Sequence, residues 1–265
     1  MADDYVRMGC AELKKMKMPA GNPDRGANKR ILVVGGGVSD LTAAIESAET
    51  ATTSLLSKKR ASWAQLRADT NEALKEAELN YPGNVPIRHM VEVLIEDFGY
   101  DELKKPVVKS LEGIKFARYV GCQTNRPFGI DGESFENPVY LDKLVETVGG
   151  EAIAAYDQKV TCCGGALAFS EPEKSQKQIR NIVESAYDHG AEMIVTPCPL
   201  CQANVEVYQS EINRKQGTKL NMPVLHYSQL MTVAYGGTAK EAGLDGHIIQ
   251  PKKLQEIGVK AVSGK

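Results

Sequence analysis

A short buried strand, a turn and the beginning of a helix are predicted for Met193-Ile194-Val195-Thr196-Pro197-Cys198-Pro199-Leu200-Cys201. The first four residues are apolar or β-branched, which is typical of a strand in a parallel sheet with both faces covered. Cys198 and Cys201 follow where this strand ends. The stretch therefore predicts an α/β fold with thiols at the carboxyl edge of the sheet, which is where such folds bind ligands.

Two further cysteine positions follow strand-like runs in the same way. Residues 115–120 lead to Cys122, and Gln158-Lys159-Val160-Thr161 leads to the pair Cys162-Cys163. A helical segment follows each run, so helix N-termini would present N–H groups and a positive dipole end to these thiols. Such surroundings favour thiolate over thiol. We expect the three strand ends to meet in one crevice.

Five of the six cysteines belong to one pattern, C-x39-C-C-x34-C-x-x-C. Residues 1–121 hold only Cys10, which has no Cys-Cys pair at the matching distance and is interpreted as a free thiol. Five thiolates in one crevice would repel one another unless a cationic group neutralised them. The clustering therefore predicts a shared metal centre.

Three other interpretations of the cysteines are less favourable. Disulfides are disfavoured because adjacent cysteines rarely bridge each other and the N-terminus shows no secretory signal. A structural zinc site takes four ligands and would leave one thiolate over. Unrelated core thiols have no reason to lie at strand ends beside Gly and Pro. The pattern favours an iron–sulfur centre, with zinc and redox-active thiols as the alternatives.

The cysteine motifs resemble those of a known family. Gly121-Cys122, Cys162-Cys163-Gly164 and Cys198-Pro199-Leu200-Cys201 together resemble the cysteine-rich CCG domain of the heterodisulfide reductase B subunit and its relatives. The resemblance covers residues 60–235, including a helix at 85–94 and a closing strand and helix at 223–230. It implies one non-cubane [4Fe-4S] cluster. The implied ligands, which also form the implied catalytic site, are Cys122, Cys162, Cys163, Cys198 and Cys201.

The same resemblance implies a function. The chain would be an oxidoreductase acting on sulfur groups, as the iron–sulfur subunit of a heterodisulfide reductase-like complex. It would cleave or form a disulfide at the cluster by two successive one-electron steps, or relay electrons. The implied partners are a ferredoxin-like C subunit and a flavin-containing A subunit. The alternatives are a scaffold subunit that is non-catalytic and zinc-bound, or a small flavin- or NAD-binding module.

The flavin or NAD alternative depends on one glycine turn. Residues 30–34 read as a strand that leads to Gly35-Gly36-Gly37 and a helix, which resembles the start of a dinucleotide-binding unit. Asp40 stands at the third glycine position, where it would bring a side chain and a negative charge close to the phosphates. We therefore interpret this turn as structural.

The chain is predicted to contain two related α/β CCG-type halves with short parallel sheets flanked by helices. Lys59 and Ser62 stand where relatives carry the first C-x-x-C, so the first half is predicted to have lost its cluster. The predicted segments are an N-terminal arm at 1–29, the degenerate first half with connector helices at 30–112, the cluster-binding CCG domain at 113–236 and a C-terminal tail at 237–265 that docks elsewhere as an arm.

Composition limits the classes of function. The chain has 265 residues, 42% hydrophobic residues and a net charge of −2, which is typical of a globular protein without the basic surface that nucleic acid requires. No apolar run approaches the roughly 20 residues of a membrane span. A thiol-rich chain without a secretory signal is expected in the cytoplasm. Arg126, His226 and Gln229 are expected near the cysteines, and the sequence assigns them no definite role.

Overall fold

The computed structural model describes residues 68, 71–72, 74–80, 89–122, 124–125, 130 and 132–259. The chain divides into two compact units, Met1–Val93 and Leu94–Lys265. The described part of the first unit contains a 3-10 turn, Lys75–Ala77, and a short helix, α1 (Met90–Val93). The predictions for Cys10, the Gly35–Gly37 turn, Lys59, Ser62 and Arg126 lie outside the described residues.

The second unit contains a four-stranded, all-parallel sheet with the order β2-β1-β3-β4. In its register Ala117 pairs with Ile194, and Val195 pairs with Leu225. Helices connect the strands, so the predicted α/β class is confirmed, while the relation between two halves stays a prediction. The strands are β1 (Lys115–Arg118), β2 (Glu151–Ala152), β3 (Met193–Thr196) and β4 (Val224–His226).

The described part of the second unit also contains several helices. The periodicity of residues 171–189 predicts a long amphipathic helix. This helix is the longest of those described, and it buries Ile179, Ile182, Val183 and Ala186. The helices are α2 (Tyr100–Lys104), α3 (Tyr140–Thr147), α4 (Pro172–Asp188), α5 (Pro199–Val207), α6 (Gln209–Gln216), α7 (Tyr227–Ala234) and α8 (Lys252–Val259), with a π-helical turn at Leu94–Phe98 and 3-10 turns at Gly165–Leu167 and Leu244–Gly246.

Two local predictions were wrong. Residues 158–161 form turns instead of a strand, because the Lys159 carbonyl accepts the N–H groups of Val120 and Gly121 and its ammonium group is held by Asp142. The second strand is β2, which lies earlier in the chain. The sequence also predicts a helix with Pro138 at its first position, whereas helix α3 begins at Tyr140, so Pro138 precedes the helix.

The apolar core covers both faces of the sheet. On one face, Ala117 and Tyr119 pack with residues of α4 and with Val205 of α5. Cys163, Cys198 and Cys201 belong to this same core cluster. Burial of each large apolar side chain contributes about 1.5–3 kcal/mol. Three of the five clustered thiols are therefore fixed by the packing that stabilises the fold.

The C-terminal segment packs on the cysteine-bearing unit itself, so the expectation of an arm that docks elsewhere was wrong for residues up to Val259. Leu244 and Leu254 are fully buried. The buried Glu206 carboxylate of α5 accepts hydrogen bonds from His247 Nδ1 at 2.8 Å and from Ile248 N at 2.8 Å. Because a buried carboxylate is costly without partners, these contacts fix the segment against α5.

Candidate metal centre

The five clustered cysteines lie at the carboxyl edge of the parallel sheet, as the sequence predicts. Cys122 follows β1, and Cys162 and Cys163 stand between the turns at 157–160 and the 3-10 turn. Cys198 is the residue before α5, and Cys201 lies in the first turn of that helix. Cys163, Cys198 and Cys201 are buried, Cys122 is half-buried and Cys162 is exposed. The site therefore has a buried side and a side open to solvent.

The cysteine side chains contact one another. The thiol of Cys201 forms hydrogen bonds with the sulfurs of both Cys163 and Cys198. Cys122 forms a hydrogen bond with Cys162 and lies close enough to Cys163 for negative charge on that sulfur to raise the pKa of Cys122. The structure thus brings all five thiols into a single continuous group.

These contacts shift the proton affinities of the thiols. Donation from the Cys201 thiol lowers the pKa of Cys163 and of Cys198 to about 6, and correspondingly raises the pKa of Cys201. Burial, and then the hydrogen bond with Cys162, raises the pKa of Cys122 to about 11. These contacts therefore favour the thiolate form of two buried sulfurs, which is the form that binds metals.

Backbone N–H groups also point at the sulfurs. Gly164 N donates to Cys162 Sγ at 3.3 Å. The N–H of Leu200, at the start of α5, donates to the sulfur of Cys198 and lowers its pKa further. Such N–H donors at a helix N-terminus stabilise negative charge on sulfur.

Two glycines allow the backbone to approach the sulfurs closely. Gly121 has a φ of +74°, and a Cβ added there would lie 3.1 Å from Cys201 Sγ. A Cβ added at Gly165 would lie 3.4 Å from Cys163 Sγ and 3.3 Å from the Leu200 side chain. Any larger residue would displace a neighbour in this packed region. The glycines beside the cysteines are therefore part of the shape of the site.

A buried tyrosine joins two of the cysteine-bearing segments. Tyr119 is fully buried, and its hydroxyl donates to the Thr161 carbonyl at 2.6 Å. Burial, and then the nearby Cys201 and Cys163 thiols, raise the pKa of this phenol far above its usual value. Tyr119 therefore remains a neutral donor that holds the residues before Cys162 against the end of β1.

A buried group of charges lies under the turn before Cys122. The Asp142 carboxylate of α3 pairs with both Arg118 and Lys159, with a Lys159 Nζ to Oδ2 distance of 3.1 Å. Lys159 also donates to Asn137 Oδ1 at 2.8 Å, and its backbone carbonyl accepts from Gly121 N at 3.1 Å. Sequence reasoning missed this group, because Arg118 and Lys159 lie 24 and 17 residues from Asp142 and meet it only in the folded chain.

Comparison with known proteins identifies the cysteine-bearing segment. Residues 116–206 match the sequence profile of the family described as CCG, cysteine-rich domain. This segment is similar to a CCG domain. Its match spans the five cysteines and the strands and helices that position them.

Similar proteins extend the likeness beyond the CCG domain. The chain is 32% identical over 185 residues to the 8-methylmenaquinol:fumarate reductase membrane anchor subunit of Wolinella succinogenes, covering 69% of this chain and 64% of that protein. It is 32% identical over 190 residues to the B subunit of the ferredoxin:CoB-CoM heterodisulfide reductase of Methanosarcina mazei, covering 70% of this chain and 62% of that protein.

A third relative is a protein of Archaeoglobus profundus described as like the heterodisulfide reductase B subunit, which is 31% identical over 177 residues, or 65% of this chain and 59% of that protein. The predicted likeness to the heterodisulfide reductase B subunit is thus confirmed. The chain spans less than two thirds of the length of these three relatives.

A solved structure shares the fold. The crystal structure of a hypothetical protein from Helicobacter pylori matches 70% of this chain and 33% of its own, with a TM-score of 0.55 and 15% sequence identity. At that identity the likeness concerns the fold alone. Among the described residues, no helix is both long enough and apolar enough to cross a membrane.

The donor set of the CCG domain fits an iron–sulfur cluster. Its side-chain donors are thiols, which are soft ligands, and N–H groups point at the sulfurs. Within the described ranges, no three His, Cys, Asp or Glu side chains converge on a position for one metal ion. The thiolates of a cluster bind different irons, so they need not converge on one point.

Two further residues that the sequence places near the cysteines have structural partners. His226 Nε2 donates to the Pro197 carbonyl at 3.2 Å, and its Nδ1 accepts from Ser228 Oγ at 2.7 Å. Gln229 Oε1 accepts from Gln202 Nε2 at 3.0 Å. His226 and Gln229 therefore connect β4 and α7 to the loop and helix that carry Cys198 and Cys201.

Proposed function

We propose that this chain is the iron–sulfur subunit of a heterodisulfide reductase-like complex and that it holds one non-cubane [4Fe-4S] cluster. The proposed ligands are Cys122, Cys162, Cys163, Cys198 and Cys201. The observation that carries the proposal is the continuous group of five thiols at the carboxyl edge of the sheet. The similarity to reductase subunits of complexes supports it.

The number of thiols favours a cluster over zinc. Tetrahedral zinc binds four ligands, so a zinc scaffold would leave a fifth thiol in contact with the site and without a metal. Thiolates are the usual ligands of iron–sulfur clusters. The mixture of buried and exposed sulfurs also fits a centre with one fixed side and one accessible side.

When bound, the cluster would supply electrons one at a time and a place for a substrate sulfur. The side chains of this protein would surround the cluster on two sides that differ in exposure to water. Cys163, Cys198 and Cys201 exclude water on the core side, whereas Cys162 and Cys122 face the side from which a disulfide or thiol approaches. Two electrons and two protons convert a disulfide to two thiols. The reverse reaction, or an electron relay without a substrate, uses the same surroundings.

We further propose that the electrons pass between this chain and a ferredoxin-like C subunit, and that any flavin belongs to a flavin-containing A subunit. The proposed location is the cytoplasm, because free thiols persist in a reducing compartment. The relatives whose names describe heterodisulfide reductase B subunits support these partners.

The test is metal and sulfide analysis with electron paramagnetic resonance on anaerobically purified protein. We expect about four irons and four sulfides per chain, little zinc, and a paramagnetic signal that changes when a thiol is added under oxidation. Cys198→Ser should lose or convert the cluster, whereas the matched control Cys10→Ser should keep it. One zinc without iron would refute the proposal. Four irons with no response to thiols would leave only the electron relay.

A further inference from the structure

Asn204 joins the two buried parts of the thiol group. It lies on α5, three residues after Cys201, and is 5% exposed. Its Nδ2 donates to the carbonyl oxygen of Cys163 at 2.9 Å. The same amide lies close enough to the sulfur of Cys163 to lower the pKa of that thiol. One side chain thus contacts both the backbone and the sulfur of a proposed ligand on another segment.

The side-chain amide of Asn204 is suited to contact a carbonyl and a sulfur together. An asparagine amide carries two N–H donors, so it can satisfy a carbonyl and a sulfur at the same time. Burial removes water as a competing donor, which makes each hydrogen bond electrostatically stronger. A donor to a ligand sulfur stabilises negative charge there, and negative charge increases when an iron–sulfur cluster is reduced.

We infer that Asn204 is a positioning residue that holds Cys163 against α5 and raises the reduction potential of the centre. The inference rests on the proposed cluster and goes beyond it, because it assigns a redox role to a residue that would not bind iron. It also explains the spacing on α5, where Cys201 and Asn204 lie one helical turn apart and reach the same neighbouring segment.

The chain offers a matched control in Gln209. This residue is fully buried at the start of α6, and its amide donates to the carbonyls of Val205 at 3.0 Å and Met222 at 2.9 Å. It resembles Asn204 in burial and in bonding to backbone carbonyls. These bonds tie together backbone groups of the α5–β4 connection. Loss of either amide takes a donor away from buried carbonyls and should lower the melting temperature.

The experiment compares full-length wild-type protein, Asn204→Leu, Asn204→Asp and Gln209→Leu after anaerobic cluster reconstitution. Iron content, thermal stability, the paramagnetic spectrum and the reduction potential are measured for each. Asn204→Leu and Asn204→Asp should both lower the reduction potential of the centre. At a fixed solution potential, the ratio of reduced to oxidised centre should fall by about two- to tenfold. Gln209→Leu should lose stability and keep the wild-type potential and spectrum.

The outcomes separate the inference from the proposed function. A wild-type protein that acquires no iron overturns the proposed function and this inference with it. A wild-type protein with about four irons, together with Asn204 variants at the wild-type potential, overturns the inference alone. Equal shifts of potential in the Asn204 and Gln209 variants would also overturn it, because the effect would then follow from general loss of stability.

Discussion

Replacement of Gly121 by alanine tests whether close backbone approach shapes the thiol group. Gly121 has a φ of +74°, and an added Cβ would lie 3.1 Å from the sulfur of Cys201. An L-residue in the left-handed region costs about 1–2 kcal/mol. The sulfur must also move by a few tenths of an ångström, which exceeds the tolerance of about 0.2 Å within which metal–ligand distances are held.

Gly190→Ala is the matched control for the backbone cost. Gly190 has a φ of +77°, but an added Cβ there meets nothing within 4 Å. Both variants should therefore lose about 1–2 kcal/mol, which lowers the melting temperature by about 2–8 °C. Only Gly121→Ala should weaken the centre, and we expect a chelator to remove iron about tenfold faster than from wild type.

The assay follows iron release spectroscopically after addition of chelator, with thermal unfolding measured on the same samples. Equal rates of iron release from Gly121→Ala and Gly190→Ala would refute the reasoning. If both rates equalled that of wild type, the contact with Cys201 would have no effect on the centre. If both were raised to the same degree, the effect would follow from lost stability instead of from this contact.

Two further predictions concern buried and partly buried charge. Asp142→Asn should lower the free energy of unfolding by about 3–5 kcal/mol, because it leaves Arg118 and Lys159 without their shared anion. Arg118→Met should lower it by well under half of that amount, because the Lys159–Asp142 pair remains. Equal losses for the two variants in denaturant titrations would contradict this prediction. Burial lowers the pKa of His226, so the folded state favours the neutral ring and wild-type stability should fall as the pH falls below about 6.5. His226→Gln should show a shallower fall between about pH 7.5 and pH 5.5, and parallel curves for the two proteins would show that His226 does not contribute.

The sequence predicted those elements whose signals are local. Strand β3 and helices α4 and α5 follow from apolar runs and helical periodicity within a few residues. The turn at Lys159 was mispredicted because its partner Asp142 lies 17 residues away in the chain. The C-terminal segment was misplaced for the same reason, since the contact between Glu206 and His247 joins positions 41 residues apart. Interactions of this range carry no periodic signal.

The candidate site also contains residues with a local sequence signal and residues without one. Motif spacing alone grouped the five cysteines that lie together in the structure, and their role as ligands stays a prediction. No sequence pattern indicated Tyr119 or Asn204, although each contacts a cysteine-bearing segment. Asn204 carried one usable signal, because it lies one turn after Cys201 on the same helix. Tyr119 carried none, since a tyrosine at the end of a buried strand is usually a core residue.

The five thiols differ in burial, so the proposed centre would have one side fixed in the core and one side open to solvent. The buried thiols Cys163, Cys198 and Cys201 belong to the same apolar core as β3 and α4, so displacing them disturbs the packing of the domain. Cys162 lies outside that core and is exposed. With the ligands proposed above, a change of coordination is least costly at Cys162, and we propose that a substrate sulfur would reach the centre from this side.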